Sequence, residues 1–582
     1  MTTNRQELKK RNGRWLFVVL AMVGVIGAAI WLSQASWRHL LASWTGEEDL
    51  KEQIKGTLAL AYLKLSQPAV KTEPLTPMPF TGLCPYGVNT FLEQEVEVTK
   101  IERSLQMLSQ SGFCWIRQEF PWEDIEISAK GDYWDHKWDV DAWAKYDRIV
   151  NLAAQNNVQI IARLDRPPAW SRKMGSAPGW TMAPPDSYED FGDYVYAVVS
   201  RYRGRIRYYQ IWNEPNIYPE WGDQPTDPAA YVKLIQIAYK RAKEADPNCV
   251  IIAAALAQTT EETPLEFGPR NMSDLLYLDK MYQAGLAGNY DIMGAMVYGL
   301  WTGPNDLRTS RDRANFSRVQ LLRQIMVEHG DAAKPIWASE VGWNTQPVTM
   351  TEAVPYGRVS SEQQAQYAVE AYQRAAREWP WMGVMNYWFL RRPSDAEANQ
   401  SWYYFRMLEP DFSPLPVYTA LGGLATQPRA VMPGYFQEDH WALRYLGNWQ
   451  LVQDIKAVLG AYQHGDQGAE VSFTFEGTDL EIIDYKPALA TELQVIIDGK
   501  APKTIRLAGN SASETEKINI ARALPAGRHQ IRMQVVIGTL NLDSLVVRQT
   551  PRRFGLWLSA AALLVLISIL VFVRIRRGSR GS

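Results

Sequence analysis

The chain reads IRYYQIWNEP from Ile206 to Pro215. The apolar residues of this stretch predict a buried strand, and the proline stops it, because proline cannot continue the hydrogen-bonded ladder. The carboxylate of Glu214 is therefore expected at the C-terminal tip of a strand, directly after the amide of Asn213. A carboxylate presented at a strand tip is a candidate for chemistry.

A second strand further along ends in the same way. From Pro335 to Trp343 the chain reads PIWASEVGW, a short apolar run that leads to Glu340. Two carboxylates at two strand ends, with aromatic residues beside each, suit retaining glycoside hydrolysis. Either motif alone is a weak signal, because an Asn-Glu-Pro sequence is also a simple strand-ending turn. Together, in this order, they favour an enzyme.

Strand and helix patterns alternate from Thr81 onward, which predicts parallel α/β architecture. The candidate strands are Tyr86–Asn89, Cys114–Gln118, Gln159–Leu164, Ile206–Trp212, Val250–Ala255, Ile292–Tyr298, Pro335–Glu340 and Gly383–Phe389. Amphipathic runs between them, such as Glu362–Glu378, predict helices. Eight parallel strands with interleaved helices are most simply a closed (β/α)8 TIM barrel, here over residues 81–428.

The pattern changes near Pro428. From Tyr435 to Val547, short alternating runs are separated by Gly, Asp and Pro turns. This predicts an antiparallel β-sandwich over residues 435–549. Whether the sandwich binds sugar or only supports the barrel stays open at this point.

Both ends of the chain carry long apolar runs. Trp15–Ser33 follows a basic tail, and Phe554–Val573 precedes another. Each run is about long enough to cross a bilayer, so transmembrane helices are predicted at residues 14–33 and 554–573. The positive-inside rule puts the tails, 1–13 and 574–582, in the cytoplasm and the rest outside the cell membrane. A cleaved signal peptide is the alternative for the first run, although its apolar region is long for one.

Residues 34–80 are predicted to connect the first span to the barrel. Trp37–Leu65 has apolar residues at helical spacing and is predicted to be a helix, either a stalk or a helix lying on the membrane surface. Pro68–Pro79 carries four prolines and is predicted to be a stiff linker.

Composition argues against several other classes of protein. The 61 basic and 63 acidic residues leave no strong positive field for nucleic acid. The histidines show no metal-ligand spacing and no nucleotide-binding fingerprint is evident, so neither a metal nor a cofactor is expected. Three cysteines in no pattern predict no disulfide framework. Cys114 and Cys249 are instead expected to be small core residues.

The two glutamate motifs, in this order and spacing, resemble those of clan A glycoside hydrolases, which are (β/α)8 barrels. The resemblance covers roughly residues 81–425. It is closest to the family 39 type of β-xylosidases and α-L-iduronidases and to bacterial exopolysaccharide glycosidases. Parts of the C-terminal region, including Ala469–Gly477, resemble galactose-binding jelly-roll modules that are often attached to glycosidases.

The motifs and the resemblance together assign roles to site residues. Glu214 is predicted to be the general acid/base and Glu340 the nucleophile. Asn213 is expected to bind the sugar 2-hydroxyl. The resemblance implies that Arg117, at the end of the second strand, supports the nucleophile. Tyr298 ends the sixth strand and is expected to donate its hydroxyl to Glu340.

Further residues are expected to contact the substrate. Trp388, near the end of the eighth strand, matches the tryptophan that lies under the bound sugar in the resembled clan. Asn89 is expected to be polar lining, and Trp343 a subsite wall. Relatives often carry a histidine two residues before the sixth-strand tyrosine, where this chain has Met296. Other candidates near predicted strand-to-helix loops are Trp122, Arg163, Asp165, Trp170 and Trp301.

The sequence therefore favours a membrane-anchored, outward-facing retaining glycoside hydrolase that acts on a polysaccharide or glycoside by double displacement. Its expected partners are a carbohydrate and the membrane. Two alternatives stay open. One is a catalytically weak glycan-binding or polysaccharide-assembly protein, which the departure at Met296 mildly favours. The other is a transglycosylase, which shares the covalent intermediate but transfers the sugar to another sugar.

Overall fold

The computed structural model describes residues 35–261, 270–350, 354–486, 490–507 and 514–550. Contacts divide the chain into two units at Pro428. The two predicted transmembrane helices, 14–33 and 554–573, and both predicted tails lie outside the described residues. Within the described ranges, no helix is long and apolar enough to cross a membrane.

The first unit contains a closed barrel of eight parallel strands, so the predicted TIM barrel is confirmed. The strands are β1 Tyr86–Thr90, β2 Trp115–Pro121, β3 Gln159–Asp165, β4 Tyr208–Ile211, β5 Val250–Leu256, β6 Ile292–Met296, β7 Ile336–Val341 and β8 Met382–Tyr387. They follow one another around the barrel in chain order, and β8 pairs with β1. Because all eight run parallel, their C-terminal ends meet at one end of the barrel.

A helix follows every strand. In chain order, after α1 Ala35–Thr45 and α2 Leu50–Ser66, the helices are α3 Val98–Gln110, α4 Ala144–Gln155, α5 Tyr188–Arg201, α6 Pro228–Ala245, α7 Asp274–Gln283, α8 Val319–Glu328, α9 Ser361–Glu378 and α10 Pro416–Ala425. Local sequence sets several of the helix starts. Asp227 caps α6, and Pro228 occupies its first turn, where a missing N–H costs nothing. Ser360 and Gln363 form a capping box on α9.

Large side chains fill the barrel at the N-terminal ends of the strands. Trp115, Tyr208 and Trp337 pack edge to face and tilted, with ring centroids 5.0–5.4 Å apart. They belong to a buried cluster with Ile161, Val250, Ile292 and Val384. This cluster closes one end of the barrel and leaves the opposite end for polar side chains.

A disulfide joins Cys84 to Cys114, which corrects the expectation that Cys114 is a small core residue without a disulfide. Cys84 precedes β1 and Cys114 precedes β2, and these neighbouring strands are parallel. Their starts therefore lie side by side, with a Cα–Cα distance of 6.3 Å, although 30 positions separate the cysteines in sequence. Cys249 is free and buried, as expected.

The segment before the barrel is two helices rather than the single helix predicted from Trp37 to Leu65. α1 ends at Thr45, and Gly46 turns the chain with a φ of 63°. Asp49 then starts α2 by accepting hydrogen bonds from the backbone of Lys51 and Glu52. The helical spacing of apolar residues continues across this turn, which hides the break in the sequence pattern.

The second unit is an antiparallel β-sandwich, as predicted. Its strands are β9 Gly434–Gln437, β10 Arg444–Leu446, β11 Trp449–Gln453, β12 Ala461–Gly465, β13 Glu470–Gly477, β14 Asp479–Tyr485, β15 Thr491–Ile497, β16 Lys503–Leu507, β17 Thr515–Ala521, β18 Gly527–Ile537 and β19 Leu540–Arg548. One sheet has the order β11-β12-β19-β14-β17 with β9 beside β19, and the other has the order β10-β13-β18-β15-β16. Alternate residues of the two sheets, including Phe475 and Leu545, form its core.

Candidate active site

A cleft of about 350 Å³ opens at the C-terminal ends of the barrel strands. Both predicted catalytic residues, Glu214 and Glu340, line it. The acidic residues in its walls are Glu119, Glu214, Glu220, Glu340 and Glu397, and the aromatic ones are Phe91, Tyr298, Tyr356, Trp388, Trp402 and Phe405. Carboxylates facing flat aromatic surfaces suit a polar ligand with apolar C–H faces, as sugars have.

Glu340 lies in β7 and is 5% exposed. One carboxylate oxygen accepts a hydrogen bond from Nη1 of Arg117 at 2.9 Å. The other accepts one from the hydroxyl of Tyr298 at 2.5 Å. A buried cation and a hydroxyl donor both favour the ionised carboxylate. Glu340 is therefore held in a defined orientation beside a buried cation.

Arg117 organises the polar floor behind Glu340. Its Nη1 also donates to Oδ1 of Asn89 at 2.8 Å, and its Nη2 donates to Oδ1 of Asn213 at 2.7 Å. Its Nε donates to Oε1 of Gln210 at 2.8 Å. Burial lowers the pKa of the guanidinium, and the charge of Glu340 opposes that shift.

Asn89 has a different place from the one expected. It is buried behind Glu340, where its Nδ2 donates to the carbonyl of Ser339 at 2.9 Å. It thus positions Arg117 and the end of β7 rather than forming a cleft wall. Gln210, which the sequence analysis missed, also accepts a hydrogen bond from Ser339 Oγ at 3.0 Å. Its position within β4, which alternates inward and outward, is a signal that could have found it.

Glu214 stands on a tight turn at the end of β4. Trp212 and Glu214 have φ values of 71° and 40°, and the amide of Glu214 donates to the carbonyl of Ala255 at 3.0 Å. Burial raises the pKa of Glu214 well above its usual range, and the charges of Glu340 and Glu220 raise it further. Glu214 therefore holds a proton where an ordinary carboxyl has lost it.

The two cleft aromatics predicted from strand ends have different surroundings. Tyr298 hydrogen-bonds Glu340, and burial followed by the charge of Glu340 raises its pKa well above the usual range, so it stays a donor. Trp388 is half-buried in the cleft wall and packs edge to face on Phe91, with centroids 5.5 Å apart. Its place is consistent with a surface under a bound sugar. Met296, which stands where relatives often carry a histidine, is fully buried.

Trp343 does not form a cleft wall, contrary to expectation. Its ring is buried, and its Nε1 donates to the carbonyl of Thr302 at 2.8 Å. It lies so close to Gly299 that a Cβ there would meet the ring at 2.1 Å. Trp343 thus supports the loop that follows Tyr298. A tryptophan beside a strand tip has the same sequence pattern whether it faces the cleft or the loop behind it.

Of the other candidates, Arg163 lines the cleft and the rest do not. Arg163 pairs with Glu119, and its Nε lies 2.9 Å from Oδ2 of Asp165. The tryptophans Trp122 and Trp170 pack against each other away from the cleft, with centroids 5.4 Å apart, and Trp301 is exposed.

An ionic network missed from the sequence forms one wall. Glu119 accepts a hydrogen bond from Nε of Arg166 at 2.8 Å and pairs with Arg163. Burial would raise the pKa of Glu119, but Arg163 and then Arg166 outweigh it and lower that pKa to about 2. Glu119 is two residues beyond Arg117 in β2, so strand alternation could have placed it on the same side.

The opposite wall of the cleft includes residues from the segment after β8, which the sequence pattern did not indicate. Arg392 donates from Nη2 to Glu397 at 2.6 Å, and its guanidinium lies 4.0 Å above the ring of Phe91 and 5.2 Å from that of Trp402. These residues lie in or beside loops, where the sequence has no periodic pattern that marks a cleft wall.

Comparisons with known proteins bear on both units. A family model described as carbohydrate esterase 2 N-terminal matches residues 459–540, within the β-sandwich. No curated protein matches the chain.

The chain is similar to family 39 glycoside hydrolases. It is 17% identical to one from Bacteroides cellulosilyticus, over 80% of this chain and 82% of that one, with a TM-score of 0.43. It is 15% identical to the family 39 enzyme from Xanthomonas axonopodis pv. citri, over 81% of this chain and 96% of that one, with a TM-score of 0.42. The chain is 13% identical to a family 30 endoxylanase from Clostridium papyrosolvens, over 80% of this chain and 99% of that one, with a TM-score of 0.39.

The site therefore has two carboxyl groups with different surroundings. Glu340 is paired with Arg117 and hydrogen-bonded by Tyr298. Glu214 has a raised pKa. Among the described residues, no three His, Cys, Asp or Glu side chains are arranged to hold a metal ion. A carboxyl that keeps its proton and a carboxylate oriented by a cation, on the same cleft, are suited to different steps of acid/base chemistry.

Proposed function

We propose that this protein is a retaining glycoside hydrolase, with Glu340 as nucleophile and Glu214 as general acid/base. One observation carries the proposal, the contrast between the two carboxylates that line the same cleft. Arg117 and Tyr298 both donate hydrogen bonds to Glu340, and Arg117 places a cation beside it, whereas burial and neighbouring charges raise the pKa of Glu214. A carboxyl with a raised pKa suits the acid role, and a carboxylate oriented by a cation suits the nucleophile role.

In the first step, a carboxylate oxygen of Glu340 attacks the anomeric carbon and forms a glycosyl ester. The bond from that carbon to the leaving oxygen breaks, and Glu214 gives its proton to that oxygen. The products are the shortened alcohol or sugar and a covalent enzyme intermediate. Arg117 stabilises the charge on Glu340 before attack, so its contacts also orient the attacking oxygen.

In the second step, Glu214 is ionised and takes a proton from water. The resulting hydroxide equivalent attacks the anomeric carbon, the ester bond breaks, and Glu340 leaves as the carboxylate. Two displacements retain the configuration. Asn213 accepts from Arg117 through Oδ1, which leaves its Nδ2 to donate to the sugar 2-hydroxyl.

The proposal includes attachment to the cell membrane with the barrel outside. The apolar runs at both ends of the sequence and their basic flanks support it. The Cys84–Cys114 disulfide supports it independently, because disulfides persist in oxidising compartments. The substrate is then an exported, cell-surface or environmental polysaccharide or glycoside.

The full chain in detergent should be tested on a panel of nitrophenyl glycosides and polysaccharides, with Glu214→Gln and Glu340→Gln as controls. The anomer formed first, followed by NMR, reports the stereochemistry. A first-formed product of inverted configuration would overturn the retaining mechanism. Activity that persists in both variants would overturn the assignment of the site. Products longer than the substrate would identify the transglycosylase alternative, and no turnover on any substrate would favour the glycan-binding one.

A further inference from the structure

One face of helix α2 is apolar and exposed. Its residues are Ile54, Leu58, Tyr62 and Leu65, which are 47%, 68%, 70% and 89% exposed. Spacings of three and four positions put them on the same side of the helix. A contiguous exposed apolar stripe of this kind marks an interaction surface.

The opposite face of α2 is already packed. Gln53, Gly56 and Leu60 are buried there. Gly56 lies so close to α1 that an added Cβ would meet the Cβ of Thr45 at 3.1 Å. The two helices therefore form a hairpin, residues 35–66, with a packed inner face. Its outer face is the stripe on α2.

The hairpin is attached to the cleft end of the barrel. The amide of Gly303 donates to the carbonyl of Gly46 at 2.9 Å, and a Cβ at Gly46 would meet Gly303 O at 2.7 Å. Arg308 donates from Nη2 to the carbonyl of Thr45 at 2.8 Å and to Glu47 at 2.6 Å. Gly303 and Arg308 belong to the segment that follows β6, the strand that leads to Tyr298. The attachment is therefore on the side of the barrel where the strands end.

The sequence around the hairpin indicates what covers its outer face. The apolar run Trp15–Ser33 ends just before α1 begins at Ala35. Lys51 and Lys55 lie one turn apart on the outer side of α2 and are exposed. Lysines can extend toward anionic headgroups while apolar neighbours enter the acyl boundary, and tyrosine favours the same interface.

We propose that the outer face of the hairpin lies on the surface of the lipid bilayer that, under the proposed function, anchors the chain. This contact holds the cleft end of the barrel nearest to the membrane. The substrate that such an arrangement serves is a glycan chain carried at or emerging from the membrane surface. A glycan free in solution would gain nothing from it.

Fluorescence quenching by lipid tests this arrangement. Of the three native cysteines, Cys84 and Cys114 are disulfide-bonded and Cys249 is buried, so an introduced cysteine can be labelled selectively. The full chain carrying Leu58→Cys is labelled with bimane and reconstituted in vesicles of phosphatidylcholine and phosphatidylglycerol, with or without brominated acyl chains. The matched control is Ala287→Cys, an exposed position just before β6, at the opposite end of the barrel.

We expect brominated lipid to remove most of the emission at Leu58→Cys and to leave Ala287→Cys unchanged. Equal responses at the two positions would overturn the proposal. Emission that depends on the protein density in the vesicle, and not on bromination, would also overturn it. A second copy of the chain would then cover the outer face of the hairpin. Flotation of the vesicles separates the attachment of the chain to the membrane from the contact of the hairpin with the bilayer. A chain that fails to float with vesicles overturns membrane attachment itself, whereas a chain that floats without quenching overturns only the contact of the hairpin. Glycoside turnover by the same samples tests the proposed glycosidase activity separately from the membrane contact.

Discussion

The guanidinium of Arg117 donates to Glu340 at 2.9 Å, and both side chains are buried. The same guanidinium holds Asn213 and Asn89. One cation thus orients a carboxylate at the end of β7 and two amides at the ends of β4 and β1. Loss of this one side chain should therefore disturb the charge and the geometry of the whole site.

Arg117→Met should lower the free energy of unfolding by about 3–5 kcal/mol at neutral pH, because it leaves Glu340 buried without its cation. Adding Glu340→Gln should restore much of the loss, since the second substitution removes the unpaired charge. Denaturant unfolding of the single and double variants measures the coupling. Additive losses would mean that the pair contributes no interaction energy.

Tyr298→Phe should reduce kcat/KM about 10- to 100-fold, because a hydrogen bond to a charged group contributes about 1.5–3 kcal/mol. The fold should be unaffected, as only the hydroxyl is removed. Tyr356→Phe is the matched control, a tyrosine that lines the same cleft and packs on Phe405. Equal losses in the two variants would assign the effect to the cleft wall instead of the bond to Glu340.

The pH profile should reveal the proton on Glu214. A raised pKa keeps this carboxyl protonated to higher pH, so kcat/KM should fall as pH rises through that pKa. Glu220→Gln removes one of the charges that raise it, so the alkaline limb should move to lower pH. Glu397→Gln, on the opposite wall, is the control. An alkaline limb that stays in place in Glu220→Gln would show that Glu220 does not act on Glu214.

Azide rescue should separate the two glutamates. In Glu340→Ala, azide should attack from the vacated side and give a glycosyl azide of inverted configuration. In Glu214→Ala, it should intercept the glycosyl-enzyme and give the retained product, best with leaving groups that need no proton. NMR of the products decides, and the opposite pattern would exchange the two roles.

Cys84→Ser combined with Cys114→Ser should lower the free energy of unfolding by about 3–4 kcal/mol, since the bond closes a loop across a separation of 30 residues. Denaturant unfolding with and without reductant measures it. Reductant should destabilise the native chain but not the double variant. Cys249→Ala, which alters a free buried thiol, should remain sensitive to reductant.

Much of the barrel was predictable because parallel strands buried on both faces are continuous apolar runs between helical ones. All eight strands were found this way, with boundaries shifted by a few residues. The sandwich was predictable for a related reason, since alternating runs between turn residues are local signals. Glu214 and Glu340 were singled out because a polar residue at the tip of such a strand interrupts the apolar pattern.

Tertiary structure alone decided what each side chain contacts. Cys84 and Cys114 meet because two parallel strands begin side by side, and Trp343 faces a loop instead of the cleft because Gly299 leaves room for its ring. The sequence by itself determined the elements and their order, since these depend on residues a few positions apart. The pairing of Glu119 with Arg163 and Arg166, and the turn that docks α1 and α2 on the barrel, depend on residues far apart in the chain. Only closure of the barrel brings such residues together.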